Sequence, residues 1–352
     1  MQSLNFGPVQ VYQGDKSGKY PDGNQVLVQG ADTRVAFDTP QVSRHIGPDL
    51  DEVDLIILGH VHEDHMVALG RLRSAPVQVH QADLAAAQSW QGLARHYGYP
   101  QPVLDVLRPM IERDFDYAPR PDATGYADGA QWDLGGGVRV RAHHLPGHTA
   151  GHCALVVESE GIAFIGDIDL TGFGPYYGDA SSDLGQFQRS LQAVRDLDAR
   201  MWITSHHRGV VTERAAFLQA LERFAAKIDE RDERLLGYLR EGPHTLDRLV
   251  ERRLLYPVGY ELPFVEFAER RSIQMHLDRL VQAGQVSRDG EGTYALAAGQ
   301  RKSGHEGRFF LDGNPWRRGR DSPESTNLQR GNLEHTVQRY TVKVHGVEMA
   351  GW

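Results

Sequence analysis

Leu55-Ile56-Ile57-Leu58-Gly59-His60-Val61-His62-Glu63-Asp64-His65 decides how the rest of this chain is read. An apolar run ends in a glycine, and three histidines and one aspartate follow between positions 60 and 65. Imidazole nitrogen and carboxylate oxygen suit a divalent transition ion such as Zn²⁺. Four such groups so close together do not easily serve one tetrahedral ion. They suggest two ions side by side, with ligands dealt alternately to each. The bland alternative is a polar strand-to-helix turn that happens to be rich in histidine. The H-x-H-x-D-H spacing directly behind an apolar, strand-like run speaks against it.

Upstream, turn residues separate short strand-like stretches at Val9–Tyr12, Gln25–Val28 and Arg34–Asp38. Val53–Leu58 is almost unbroken apolar sequence with one acid, Asp54, as in a strand covered on both faces. From His65 the pattern predicts a helix through Met66, Leu69 and Leu72, then a strand at Val77–Val79. Ala82–Tyr97 is Ala-rich and helix-forming. Pro100–Asp133 reads as one short helix and much loop. Val138–His143 alternates as a strand. Ala154–Val157 and Ile162–Ile165 flank the turn Ser159-Glu160-Gly161 as a hairpin, and Met201–Thr204 is one further strand.

These motifs resemble the signature of the metallo-β-lactamase fold superfamily. Most of its members are hydrolases that hold one or two metal ions between two β-sheets. The resemblance demands a further His, a bridging Asp and a final His downstream. Leu145-Pro146-Gly147-His148-Thr149 supplies the first, Phe164-Ile165-Gly166-Asp167 the second, and Trp202-Ile203-Thr204-Ser205-His206-His207 the third. The implied architecture is α/β: an αββα sandwich over residues 1–215, followed by a helical, winged-helix-like domain over 216–299. Residues 300–352 form a tail of uncertain order, rich in Gly, Arg, Asn and Ser, in which Val337–Val347 could make one strand or two.

The resemblance also implies a ligand set. His60, His62 and His148 bind a first ion, while Asp64, His65 and His206 bind a second. Asp167 bridges them. His207 rivals His206, which is preferred because it follows the small residue Ser205. Two divalent ions are expected. Zinc is the leading choice, and iron or manganese is acceptable to the same donors. Ions about 3.5–4 Å apart would share a hydroxide of near-neutral pKa. Asp64, beside two ligands, is the candidate general base. Phe173, Tyr176 and Tyr177 follow the bridging Asp and are the candidate substrate-binding residues. They would line the pocket wall, or one tyrosine would offer its hydroxyl. His143, His144 and His152 are read as exposed or core-satisfied. Asp169 is read as a group that could orient a ligand His, and Glu63 as pointing to solvent or to a salt bridge. Cys153 is read as a small buried hydrophobe.

The C-terminal third reads as helices at Ala215–Ile228, Glu233–Leu239, Leu246–Leu255 (capped by Thr245) and Phe264–Ala283. A hairpin of Gln285–Arg288 with Thr293–Leu296 follows. Helix Phe264–Ala283 mixes Glu266, Glu269 and Asp278 with Arg270, Arg271 and Arg279. A nucleic-acid reader would show net basicity there, so the module is read as a lid or a homodimer surface.

The net charge of −9 disfavours binding to long polyanions. No run of about 18 apolar residues is present to span a membrane. The N-terminal residues show no signal-peptide pattern, and one cysteine fits a reducing compartment, so a cytoplasmic location is expected. The expected activity is dinuclear metal-dependent hydrolysis of a small thioester, lactone or carboxylic ester. The alternatives are a phosphodiesterase or ribonuclease of the β-lactamase-like-protein-2 type, or promiscuous phosphotriester hydrolysis. A flavodiiron-type oxidoreductase typically replaces the second His by Glu, and His62 argues against it.

Overall fold

The computed structural model describes residues 2–298 and two strands near the C terminus, Tyr340–Val344 and Val347–Gly351. Seven strands follow one another in chain order across the first sheet: β1 Gln2–Phe6, β2 Val9–Gln13, β3 Gln25–Gln29, β4 Arg34–Phe37, β5 Leu55–Leu58, β6 Val77–His80 and β7 Thr124–Tyr126. The second sheet has six: β8 Gln131–Asp133, β9 Arg139–His144, β10 Cys153–Val157, β11 Ile162–Phe164, β12 Met201–Ile203 and β13 Val210–Val211. Their spatial order is β13-β12-β11-β10-β9-β8.

Strand periodicity explains the layers. Alternate residues of a strand face opposite sides. Val9, Val11, Val26, Val28, Val35, Phe37 and Ile57 turn toward the second sheet and pack with Val140, Leu155, Val157, Phe164 and Ile203. Tyr12, Leu27, Ala36, Ile56 and Leu58 face the other way, into a core shared with helices. Those helices are α3 Leu84–Gln88, α4 Trp90–Tyr97 and α5 Gln101–Asp114; the turns α1 Asp15–Gly18 and α2 Pro48–Asp51 precede them. The outer face of the second sheet is covered by α6 Leu184–Arg195 and α7 Arg214–Glu241. Trp202, outward on β12, stacks at 4.0 Å on Phe217 of α7. The result is the expected four-layered αββα sandwich.

Several local readings change. Residues 66–72 are not a helix. After a tight turn at Glu63–His65, the backbone bonds laterally to the neighbouring strand end: Thr39 N–H donates to His65 O at 2.9 Å, and Val67 N–H donates to Thr39 O at 2.8 Å. The Ala-rich helix is two helices, broken at Ser89, whose hydroxyl caps α4 by accepting from Gly92 N–H at 3.0 Å. The segment expected to be mostly loop contains the 14-residue α5 and the strands β7 and β8. Strands β1 and β13 and helix α6 had no counterpart in the sequence reading.

In the C-terminal third, two expected helices are one. Helix α7 runs unbroken for 28 residues, so the expected 215/216 boundary falls inside its first turn. It is followed by β14 His244–Thr245, α8 Leu246–Arg252, α9 Val265–Gln282, β15 Val286–Arg288 and β16 Thr293–Leu296. The Thr245 cap is present, its hydroxyl accepting from Arg248 N–H at 3.4 Å. Strands order as β14-β16-β15 and share a core of Leu235, Leu239, Leu249, Ile273, Leu277 and Tyr294 with the helices. This is the expected helical, winged-helix-like unit.

Contacts divide the chain into Met1–Gly307 and Arg308–Trp352. In the latter, β17 Tyr340–Val344 and β18 Val347–Gly351 pair antiparallel. Residues 299–339 lie outside the described residues.

Candidate metal centre

The H-x-H-x-D-H residues leave the C-terminal end of β5, a central strand flanked by parallel neighbours β4 and β6. His148 comes from the loop between β9 and β10, Asp167 from just beyond β11, and His206 from just beyond β12. Strand ends at one edge of both sheets thus converge on one place. His60, His62, His148 and Asp167 offer ligand atoms that all lie within 4.8 Å of one another, as do Asp64, His65 and His206.

Asp167 joins the two groups. Its Oδ2 lies 3.3 Å from His148 Nε2 and 3.8 Å from His60 Nε2. Its Oδ1 lies 3.1 Å from His65 Nε2 and 3.5 Å from His206 Nε2. Asp64 Oδ2 sits 3.0 Å from His206 Nε2 and 3.7 Å from His65 Nε2. His206, not His207, turns its ring to this cluster. His207 adopts a left-handed backbone at φ 58° and belongs to neither donor group.

Four of the rings, those of His62, His65, His148 and His206, are oriented from behind by different acceptors. Asp38 Oδ2 bonds His65 Nδ1 at 2.9 Å, while its Oδ1 accepts from Gly59 N–H at 2.7 Å. His206 Nδ1 faces Asp22 O at 2.7 Å and Gly18 O at 3.1 Å. His148 Nδ1 donates to Tyr176 O, 3.0 Å away. His62 Nε2 meets Asp179 Oδ2 at 2.8 Å, and Asp179 Oδ1 accepts from Tyr99 hydroxyl at 2.6 Å. Such partners fix tautomers and aim the opposite ring nitrogen. Asp38 can also be grouped with His60 and His65 as a donor, but both its oxygens are engaged.

The donor chemistry itself fits divalent metal. Buried His60 Nε2, His65 Nε2, His206 Nε2 and Asp167 Oδ1 have no hydrogen-bond partner among the described residues. Buried polar atoms are rarely left so. His62 Nδ1 faces His148 Nε2 at 3.1 Å, both outer nitrogens already being committed. Something positive must lie between two such lone pairs. Without an ion a proton serves: burial lowers the His62 pKa, but the hydrogen bond and charge of Asp179 outweigh it and raise it to about 9. Burial likewise opposes, and Asp167 and Asp64 overcome, to bring His206 to about 10. Asp167 is held well below the carboxylate range against burial by His65, His206 and His60. Donors that stabilise protons this way would also stabilise cations.

The neighbouring residues sort clearly. His152 is buried, its pKa lowered to about 3 by burial; it accepts from Asp167 N–H at 3.2 Å and so steadies the backbone there. Gly166, at φ +54°, lets that approach occur, since a Cβ there would lie 2.6 Å from His152 Nε2. His144 bonds Ala150 O at 2.8 Å, and Cys153 is buried, as expected. Glu63 makes no salt bridge among the described residues. Its carboxylate accepts from the hydroxyls of Tyr97 at 2.5 Å and Tyr20 at 3.5 Å. Asp169, burial and Asp167 raising its pKa well above the usual range, leaves Oδ1 unpartnered. The orienting role considered for it belongs to Asp38.

Above the donors lies an aromatic roof. Tyr176 is half-buried, its ring 5.9 Å from that of His148 and 6.5 Å from that of His62. Tyr97 stacks on His62 at 6.1 Å and on Tyr99 at 5.6 Å. Phe264 and Phe267, at the start of α9, pack on Tyr99 at 6.1 and 6.4 Å. Phe173 meets Tyr256 at 5.8 Å. Tyr177 departs from expectation: it is 0% exposed, with its hydroxyl bound to Arg231 at 2.6 Å and His276 at 2.8 Å. It packs beneath the loop and offers no hydroxyl to the cleft.

Sequence reasoning missed Asp38, Tyr99, Asp179 and Arg231. Asp38 was the most findable, as an acid closing the strand beside β5.

The fold and the two carboxylate-joined His clusters are those of a metal-binding protein of the αββα class. The family model for the metallo-beta-lactamase superfamily matches residues 27–206, and the chain belongs to that superfamily. Among curated proteins it is similar to an atrochrysone carboxyl ACP thioesterase of Pseudocercospora fijiensis (strain CIRAD86), 24% identical over 213 residues, which cover 60% of each chain. An N-acyl homoserine lactonase of a Bacillus species is 26% identical over 119 residues, 34% of this chain and 38% of that protein. The matches span 60% and 38% of these relatives' lengths, less than two thirds of either. A crystal structure of a metallo-beta-lactamase family protein from Thermus thermophilus is similar with a TM-score of 0.63 at 26% identity, covering 83% of this chain and 99% of that one. The chain's membership of this superfamily and its His/Asp clusters suit the binding of divalent metal. No helix of the described residues is long and apolar enough to cross a membrane.

Proposed function

We propose that this protein is a binuclear metal-dependent hydrolase of a small thioester, lactone or carboxylic ester. The observation that carries the reading is Asp167, one carboxylate oxygen turned to each histidine group. Two divalent ions bound there, zinc by preference, would supply an acidified water and polarise the ester carbonyl. The chain's own residues do the rest. His60, His62 and His148 would hold one ion, and Asp64, His65 and His206 the other. Asp64 stays ionised: burial raises its pKa, but His65 and His206 more than offset this. It can orient a water and accept its proton. Tyr176 and Phe173, with Tyr97, Tyr99 and Phe264, form an aromatic roof suited to the acyl or alcohol part of a neutral substrate and able to exclude bulk water. The names of two relatives, a thioesterase and a lactonase, agree with an acyl-transfer reading.

The test is elemental analysis of metal-loaded protein together with a panel of thioesters, lactones, aryl esters, phosphodiesters and single-stranded RNA. Two equivalents of metal and the highest kcat/KM on an acyl ester are expected. Efficient, salt-sensitive RNA cleavage with no acyl hydrolysis would replace this reading with the phosphodiesterase one.

A further inference from the structure

The two donor groups lean on different parts of the chain. His65 and His206 are oriented entirely from within the sandwich, by Asp38 and by the carbonyls of Gly18 and Asp22. His62 and His148 are not. His148 Nδ1 is held by Tyr176 O, in the loop after the bridging Asp. That loop is gripped by Arg231 of α7, whose guanidinium donates to Pro175 O at 2.5 Å, Tyr177 hydroxyl at 2.6 Å and Phe173 O at 2.7 Å. The same guanidinium lies 5.5 Å from the centre of the Phe173 ring. From α9, His276 bonds the Tyr177 hydroxyl at 2.8 Å and Asp232 Oδ1 at 2.6 Å, closing a buried network. His62 is held by Asp179, Asp179 by the Tyr99 hydroxyl, and the Tyr99 ring is covered by Phe264 and Phe267. His60, third of the group, has no hydrogen-bond partner behind Nδ1 among the described residues.

We propose that Arg231 is a positioning residue for the His60/His62/His148 ion site, so that the C-terminal helices hold up one of the two ion sites and not the other. The inference rests on the two-ion reading above. Its mechanism is mechanical. Arg231 fixes three points of a loop whose Tyr176 carbonyl sets the tautomer and aim of His148. Losing the guanidinium frees that carbonyl while Asp38, Asp22 and Gly18 keep their grip on the other ring pair.

The experiment measures Zn²⁺ stoichiometry and affinity in the full-length protein, with circular dichroism and melting as controls for folding. Unsubstituted protein is measured first. One equivalent there would overturn the two-ion reading and this inference with it. Arg231→Met is then made in two backgrounds. In His206→Gln, which leaves the His60 side, it should weaken the remaining ion by about 10–100-fold. In His148→Gln, which leaves the His65 side, affinity should stay within about twofold of that background. Equal weakening in both, or weakening only in His148→Gln, overturns the proposal while leaving two ions in place. Should Arg231→Met fail to fold, Tyr99→Phe serves instead, since it removes only the hydroxyl bound to Asp179. It should show the same one-sided loss, smaller in size, and an even-handed loss would likewise overturn the proposal. Arg231→Lys, which keeps a charge but not the three-point grip, should recover only part of the affinity.

Discussion

On the floor of the cleft every functional group is ionisable and lies at or near a strand end, and four of the five histidines are fixed from behind by a hydrogen bond. On the roof the groups are uncharged rings, contributed by α4, the loop after it, the loop after β11, and α9, and touching one another mainly through faces and edges. The floor requires angular precision, because a ligand lone pair misaimed by a few tenths of an ångström loses its ion. The roof requires shape and dryness, which packed rings supply with little directional demand. The two surfaces should therefore fail differently: floor substitutions in kcat and metal content, roof substitutions in KM and substrate preference.

The largest effect is expected at the one residue facing both histidine groups. Asp167→Asn should lower kcat/KM by about 10³-fold or more and reduce metal content, because it removes charge at both ion sites. Near-parental turnover with full metal would end the argument that this carboxylate joins them. Asp64→Asn should cost about 10²–10⁴-fold in kcat with KM little changed. If the loss appears in KM alone, Asp64 belongs to substrate binding and the contrast with the roof collapses there. Phe264→Ala and Phe267→Ala, on the roof, should raise KM about tenfold for bulky aryl or acyl esters and leave kcat on a minimal acetyl ester within about twofold. Steady-state kinetics on a graded ester series decides it; a uniform loss of kcat would show that the roof acts on the chemistry instead.

The smallest effect concerns stability away from both surfaces. His80 is buried and stacked 3.9 Å from His144, and burial followed by the His144 charge lowers its pKa from 6.5 to about 4. Between those values the unfolded chain binds a proton that the folded chain refuses. Stability should therefore fall as pH drops from about 7 toward 4, and His80→Phe should flatten part of that slope. Urea titrations across this range would show an unchanged slope if His80 titrated normally in the fold.

The floor was legible in the sequence because its His and Asp residues follow strand-like runs at fixed short spacings. The structure brings the seven candidate residues together, with His206 rather than His207 beside Asp64. The supports behind them were not legible, since Asp38, Asp179 and Tyr99 are single residues whose partners lie 27, 117 and 80 positions away. Arg231 falls in the gap between the expected helices Ala215–Ile228 and Glu233–Leu239. Ile228, Arg231, Asp232 and Leu235 share one helical face, and all are buried. Two charges on an apolar stripe look like the end of one helix and the start of another. In a continuous helix they mean a buried polar network instead. Glu269 was misread similarly. It is not part of a balanced surface but a buried carboxylate accepting from the N–H groups of Leu254, Leu255 and Tyr256 at 2.8, 2.9 and 2.7 Å.

Helix α7 has one more consequence. Its 28 residues extend about 42 Å at 1.5 Å per residue. Phe217 near its start stacks on Trp202 of the sandwich, while Leu235, Leu236 and Leu239 near its end belong to the hydrophobic core of the winged unit. A rod anchored in two cores carries the melting of one into the other. Residues 2–298 should therefore unfold in a single calorimetric transition, with van't Hoff and calorimetric enthalpies in agreement. A glycine pair placed at the solvent-facing positions midway along the rod should separate that transition into two before it abolishes either.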